Sequence, residues 1–136
     1  MTSCAGDNRS AEDILADITD DIADLPDGNV YKKSAEEGDK GFLSPALCEA
    51  LYGANAQRDK FPLTDDFAIY LSSFAMPCEV AVFKCYSASD TDVIAGMLLS
   101  RISELKILLA ESEFLYLADS ATVEIDGRFV IMKMTP

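Results

Sequence analysis

Residues 79–109 decide the fold. They begin as Glu79-Val80-Ala81-Val82-Phe83-Lys84-Cys85-Tyr86, pass through the polar turn Ser87-Ala88-Ser89-Asp90-Thr91-Asp92, and continue as a long segment with an apolar stripe. In an extended conformation Val80 and Val82 share one side, while Ala81, Phe83 and Cys85 share the other. A strand that is apolar on both sides belongs in the middle of a sheet. Ser89 is placed to cap a helix, with Asp92 three residues on, a capping box in which Asp replaces the usual Glu or Gln. Ile94, Met97, Leu98, Ile102, Leu105, Leu108 and Leu109 then recur at helical spacing, interrupted by Arg101. A helix over 91–111, at ~1.5 Å per residue, is roughly 30 Å long and would lie across a small sheet as its lid.

The segments on either side are read as packing for this unit. Downstream, Ala121-Thr122-Val123-Glu124-Ile125 and Arg128-Phe129-Val130-Ile131-Met132 flank Asp126-Gly127, which predicts a tight hairpin with a type I′ turn. Upstream, Phe67, Ile69 and Leu71 alternate in a strand that reaches residue 79 through a loose connection. Ser44-Pro45 opens a short helix with Leu47, Ala50, Leu51 and Ala54 on its buried face, and Gly53 ends it. Residues 27–40 are polar and read as a surface loop with a short edge strand at Val30-Tyr31. Ser10 and Asp13 repeat the capping pattern before a helix whose apolar face is Ala11, Ile14, Leu15, Ile18, Ile22 and Leu25, closed before Pro26. The expected architecture is α+β: a four-stranded, mostly antiparallel sheet with one long amphipathic helix and shorter N-terminal helices packed on one face. Residues 10–136 form the single domain and residues 1–9 a tether.

Composition narrows the chemistry. The 136 residues carry 24 carboxylates against 11 basic groups, a net charge of −13, which disfavours nucleic acid and anionic lipid head groups as partners. Histidine is absent, which removes the commonest general base and metal ligand. Cys4, Cys48, Cys78 and Cys85 lack CxxC spacing, so no zinc or redox couple is expected, and no cofactor motif is present. Along one strand Cys78 and Cys85 would stand about 23 Å apart, far beyond disulfide reach, while Cys48 with either remains open. The ladder Asp13, Asp17, Asp20, Asp21 and Asp24 reads as a solvated helix face rather than a calcium site, because Asp27-Gly28-Asn29 does not continue as an EF-hand loop. Asp65-Asp66 and Asp90-Asp92 stand where turns and helix caps use Asp.

Two features point further. Met1-Thr2-Ser3-Cys4 matches the last four positions of a bacterial lipoprotein signal, with Cys4 as the acylated residue, although the charged and apolar regions of a signal peptide are missing. Acyl chains contribute ~0.8 kcal/mol per buried CH₂, so two or three of them would anchor the protein firmly. The second feature is the set Glu79, Lys84 and Arg101, in which both cations interrupt apolar faces and need either an internal carboxylate, Glu79 or Glu124, or a ligand carboxylate.

The succession Glu79-Val80-Ala81-Val82-Phe83-Lys84, Ser89-Asp90, Arg101, and residues 123–132 with Gly127 resembles the bacterial domain-of-unknown-function family 4358. The resemblance spans residues 25–133. It implies an extracytoplasmic, lipid-anchored location and no known activity. The expected function is therefore a non-catalytic envelope module that binds a protein, peptide or small ligand on an uncovered sheet face and meets the membrane only through Cys4. The alternative is a cytosolic enzyme or regulatory subunit.

Overall fold

A computed structural model describes residues 8–73 and 76–136. In chain order the elements are helix α1 (Ala11–Asp20), strand β1 (Gly28–Lys32), helices α2 (Pro45–Tyr52) and α3 (Ala56–Asp59), strands β2 (Thr64–Ser72) and β3 (Glu79–Cys85), helices α4 (Thr91–Leu108) and α5 (Leu115–Asp119), and strands β4 (Thr122–Asp126) and β5 (Phe129–Met134). The protein is α+β. Its sheet is antiparallel at every pairing, in the order β1-β2-β3-β5-β4, which puts β3 at the centre.

The sheet has five strands where four are expected. The additional one is β1, the weak Val30-Tyr31 signal, which pairs with β2 along its whole length. The helices also cover both faces rather than one. Phe67, Ile69, Ala81, Phe83, Val130 and Met132 lie on one face in matched register, and α2 and α4 roof it: Tyr52 of α2 meets Phe83 at 5.9 Å between ring centroids, and Arg101 of α4 reaches Glu79 at the start of β3. Ala68, Val80 and Val82 lie on the other face, beneath α1. There the Lys84 ammonium donates to the Arg9 carbonyl at 3.1 Å, and Lys32 pairs with Glu12 at 3.1 Å. Helix α1 packs on this face and buries Ala11 and Leu15 completely. The two-sided apolar pattern of β3 requires these two roofs.

Several local expectations shift for identifiable reasons. Ser10 caps α1 by accepting from the Asp13 amide at 3.0 Å, but the helix ends at Asp20, well before Pro26. Ser44 caps α2, and Gly53 closes it at φ 103°, a conformation that L side chains rarely adopt. Before α4 a 3₁₀ turn over Ala88–Asp90 is inserted and capped by Ser87, so Ser89 does not cap the helix. The helix stops at Leu108, which is 68% exposed because the stripe drifts off the sheet at its last turn. The β4–β5 turn is Gly127-Arg128. Gly127 has φ 62° and, among the described residues, no residue other than glycine has positive φ, so Arg128 does not, the pattern of a type II′ turn rather than type I′.

Candidate functional site

Burying an arginine requires compensation, and the sequence places it at a single turn of α4. Arg101 lies on the edge of the buried stripe, facing the first residue of β3. Its guanidinium grips the Glu79 carboxylate with Nε at 3.2 and 3.3 Å and with Nη2 in a further close bond. Nη1 bonds Glu104, one helical turn on, at 3.0 Å. The side chains of Arg101 and Glu79 are only 11% and 6% exposed, whereas that of Glu104 is half exposed. Burial pulls the Arg101 pKa down, but its bonds to Glu79 and then Glu104 outweigh this and leave it above its ordinary value. The cation therefore stays charged and is shared between two carboxylates.

Tyr52, from the last position of α2, completes the site. Its ring packs edge-on against Phe83 and tilted against Phe61 at 6.0 Å. Its hydroxyl is buried and, among the described residues, makes no hydrogen bond. Burial first, and then the negative charge of Glu79, push the phenol well above its ordinary pKa, so it stays protonated and able to donate. A buried hydroxyl without a partner costs about 1–3 kcal/mol, which makes this the one poorly matched group of the site.

Two clefts flank Arg101. One, about 120 Å³, lies between α2 and α4 and is lined by Leu51, Tyr52, Gly53, Met97, Ser100, Arg101 and Glu104. The other, about 230 Å³, lies beyond the ion pair and is lined by Leu71, Ser72, Pro77, Cys78, Glu79, Arg101 and Leu105. Both fall short of the ~300–1,000 Å³ of pockets that enclose whole small molecules. A wider cleft, about 280 Å³, opens on the α1 side between Ile22 and Thr122, where α1 does not reach the β4–β5 ribbon.

No family model matches the chain, and no curated protein or solved structure matches it.

The structure thus joins Glu79 and Arg101 and separates them from Lys84. Lys84 belongs to the opposite face of the same strand, where it donates to the Arg9 carbonyl and lies 5.4 Å above the Phe129 ring. Cys4 lies outside the described residues. Cys48, Cys78 and Cys85 are free, buried thiols. Burial raises the pKa of each, that of Cys85 to about 11, and keeps them protonated. Among the described residues no group of His, Cys, Asp and Glu is arranged to hold a metal ion. Asp66, one of a carboxylate pair in the sequence, accepts the Ala11 amide at 2.8 Å and so holds the start of α1. Sequence reasoning missed Tyr52 and Glu104. Glu104 carried a signal, since it stands three residues after Arg101 on a helix, but the orphaned Tyr52 hydroxyl depends on contacts between elements and left none.

Proposed function

We propose that the protein is a non-catalytic binding module of the cell envelope, tethered through a lipid on Cys4, whose Arg101 cleft takes one polar side chain of a protein or peptide. The observation that carries the binding reading is the buried, unpartnered Tyr52 hydroxyl, which stands beside an arginine already neutralised by Glu79 and Glu104. That hydroxyl is closed to solvent, so a visiting side chain with a hydrogen-bond acceptor satisfies it only as the Tyr52 ring turns toward the cleft, where the visitor also gains contact with Ser100 and the exposed edge of Glu104. The small volume of the cleft favours a side chain over a whole metabolite. The envelope location rests on the Cys4 motif and on the resemblance to domain-of-unknown-function family 4358.

Two measurements test the reading. The intact mass of protein from native membrane and soluble fractions is expected to show a diacylglyceryl adduct on Cys4 in the membrane fraction. An unmodified chain in the soluble fraction would return the protein to the alternative, a cytosolic enzyme or regulatory subunit. For the cleft, peptides selected from a random displayed library against the whole protein are expected to shift the Arg101 Nε resonance. They should lose at least about tenfold in affinity, ~1.4 kcal/mol, on Tyr52→Phe or on the cleft-filling Ser100→Leu. Selected peptides indifferent to both substitutions would overturn the cleft as the site.

A further inference from the structure

The two edges of the sheet are finished differently. At β1 the chain folds back over its own edge: the Lys32 amide donates to the Gly41 carbonyl at 2.9 Å, and the Asn29 side chain donates to the Lys40 carbonyl at 2.6 Å. Gly41 lies so close that a side chain there would meet the Val30 carbonyl at 2.9 Å. At β4 nothing comparable occurs. The two-residue turn makes Asp126 and Phe129 a hydrogen-bonded pair, so Glu124 and Thr122 also bond to β5, while the N–H and C=O groups of Val123 and Ile125 point outward. Among the described residues no hydrogen bond reaches those groups.

Sheet edges are normally blunted by short length, charged side chains, lysine above all, proline or a bulge, because they template pairing with another chain; on β4 the guards are its five-residue length and the carboxylates of Glu124 and Asp126, which repel an acidic strand but not a basic one. Strand β4, Thr-Val-Glu-Ile-Asp, has no lysine and no proline, and its register with β5 is continuous. Its side chains define what can pair with it. Ile125 is 48% exposed on the face roofed by α4, where Leu99 is 54% exposed on the helix itself. Glu124 and Asp126 are exposed on the opposite face, where Lys133 pairs with Glu124 at 3.5 Å.

We propose that the outer edge of β4 accepts an extended, basic segment of a partner protein as a sixth antiparallel strand. Residues hydrogen-bonded opposite Val123 and Ile125 fall on the α4 face and are apolar. Those opposite Glu124 and Asp126 fall on the other face and are lysine or arginine. Directly opposed charges of unlike sign stabilise a strand pair and like signs destabilise it. A second copy of the chain fits less well: two-fold pairing centred on Glu124 opposes two glutamates, pairing centred on Ile125 opposes Glu124 to Asp126, and pairing centred on Val123, which opposes Glu124 only to Thr122, still brings together two copies that each carry a net charge of −13. The net charge of −13 adds long-range attraction for a basic segment. This surface is separate from the Arg101 cleft and does not depend on it.

The test uses the whole protein and an acetylated, amidated hexapeptide alternating valine and lysine, with its valine–glutamate counterpart as control. Titration at low salt is expected to give saturable binding below about 1 mM, at least about tenfold tighter than the control, and weaker as salt rises. Hydrogen exchange of the outward Val123 and Ile125 amides is expected to slow in the complex, which loose electrostatic attachment would not cause. Glu124→Lys, which leaves Asp126 in place, is expected to erase most of the preference between the two peptides, and since Glu124 is exposed the fold tolerates it. No saturation by about 1 mM, binding without protection of those two amides, or a concentration-dependent dimer that protects them without peptide would each overturn the proposal.

Discussion

The two faces of β3 are built from the same alternation yet hold their charges at different depths. On one face Glu79 and Arg101 are sealed between β3, α2 and α4 beside a cluster of aromatic rings. On the other, Lys84 and Lys32 reach the exposed start of α1, where they meet the Arg9 carbonyl and Glu12. The difference comes from the roofs. Helix α4 is long enough to carry a charge inward past the rim, whereas α1, ten residues long, leaves the cations beneath its first turns close to water. A charge in an apolar stripe is therefore structural or superficial according to the helix above it, not according to its own strand.

The largest effect expected from breaking this contrast is in the aromatic cluster. Phe83 is fully buried and touches Tyr52, Phe61 and Phe67 with ring centroids 5.6–6.0 Å apart. Phe83→Ala should cost about 3–5 kcal/mol in denaturant unfolding. Its sequence neighbour Val82, fully buried on the α1 face between Ala68 and Ile131, is a smaller side chain, and Val82→Ala should cost about 2 kcal/mol at ~0.8 kcal/mol per lost CH₂ plus the cavity. A Val82→Ala cost as large as that of Phe83→Ala would mean that the α1 roof packs more tightly, atom for atom, than the α4 roof.

Next comes the buried ion pair. Glu79→Ala leaves Arg101 buried with only Glu104, and should cost toward the low end of about 3–5 kcal/mol because that second carboxylate remains. Adding Arg101→Met should recover part of the loss, since it removes the stranded charge while the cavity left by Glu79→Ala remains. A double variant as unstable as the single one would show that Glu79 acts through packing and not through the arginine.

These pairs also show what the sequence exposes and what it hides. The central place of β3 was legible because Val80 and Val82 alternate with Ala81, Phe83 and Cys85. The same alternation demanded cover on both faces, a demand that an expectation of one helical layer does not meet. Strand β1 was faint because an edge strand buries little, so Val30 and Tyr31 stand alone in a polar run. That Arg101 required a partner was legible from its place in the stripe. That Lys84 does not belong with it was hidden, because charge and period are local while depth is set by a helix seventy residues away in the chain. The Ser87 cap was obscured by Ser89, which matches the same pattern two residues later.

A third effect is set by pH on the α1 face. Tyr70 donates its hydroxyl to the Pro26 carbonyl, and burial, with smaller contributions from Cys78 and Asp27, pushes its pKa from the usual 10.0 up to about 12. Below pH 10 the folded and unfolded chains hold this proton equally. Between about 10 and 12 only the unfolded chain releases it, so stability falls as pH rises through that window. Tyr70→Phe should flatten that part of the stability–pH curve, measured by denaturant midpoint, and an unchanged slope would assign it to another group.

The smallest effects belong to the rim of α1, and their smallness is what separates the faces. Ser10→Ala removes the cap on the Asp13 amide and should cost about 1 kcal/mol. Lys84→Met should stay within about 0.5 kcal/mol, because the ammonium sits at the surface and its stem continues to cover Phe129. The informative quantity is the ratio of this change to that of Glu79→Ala. If Lys84→Met cost as much, the cation would be buried in function if not in area, and the contrast between a sealed charge under α4 and an open one beside α1 would collapse. If it costs little, the strand carries a structural ion pair on one face and a replaceable surface cation on the other, five residues apart.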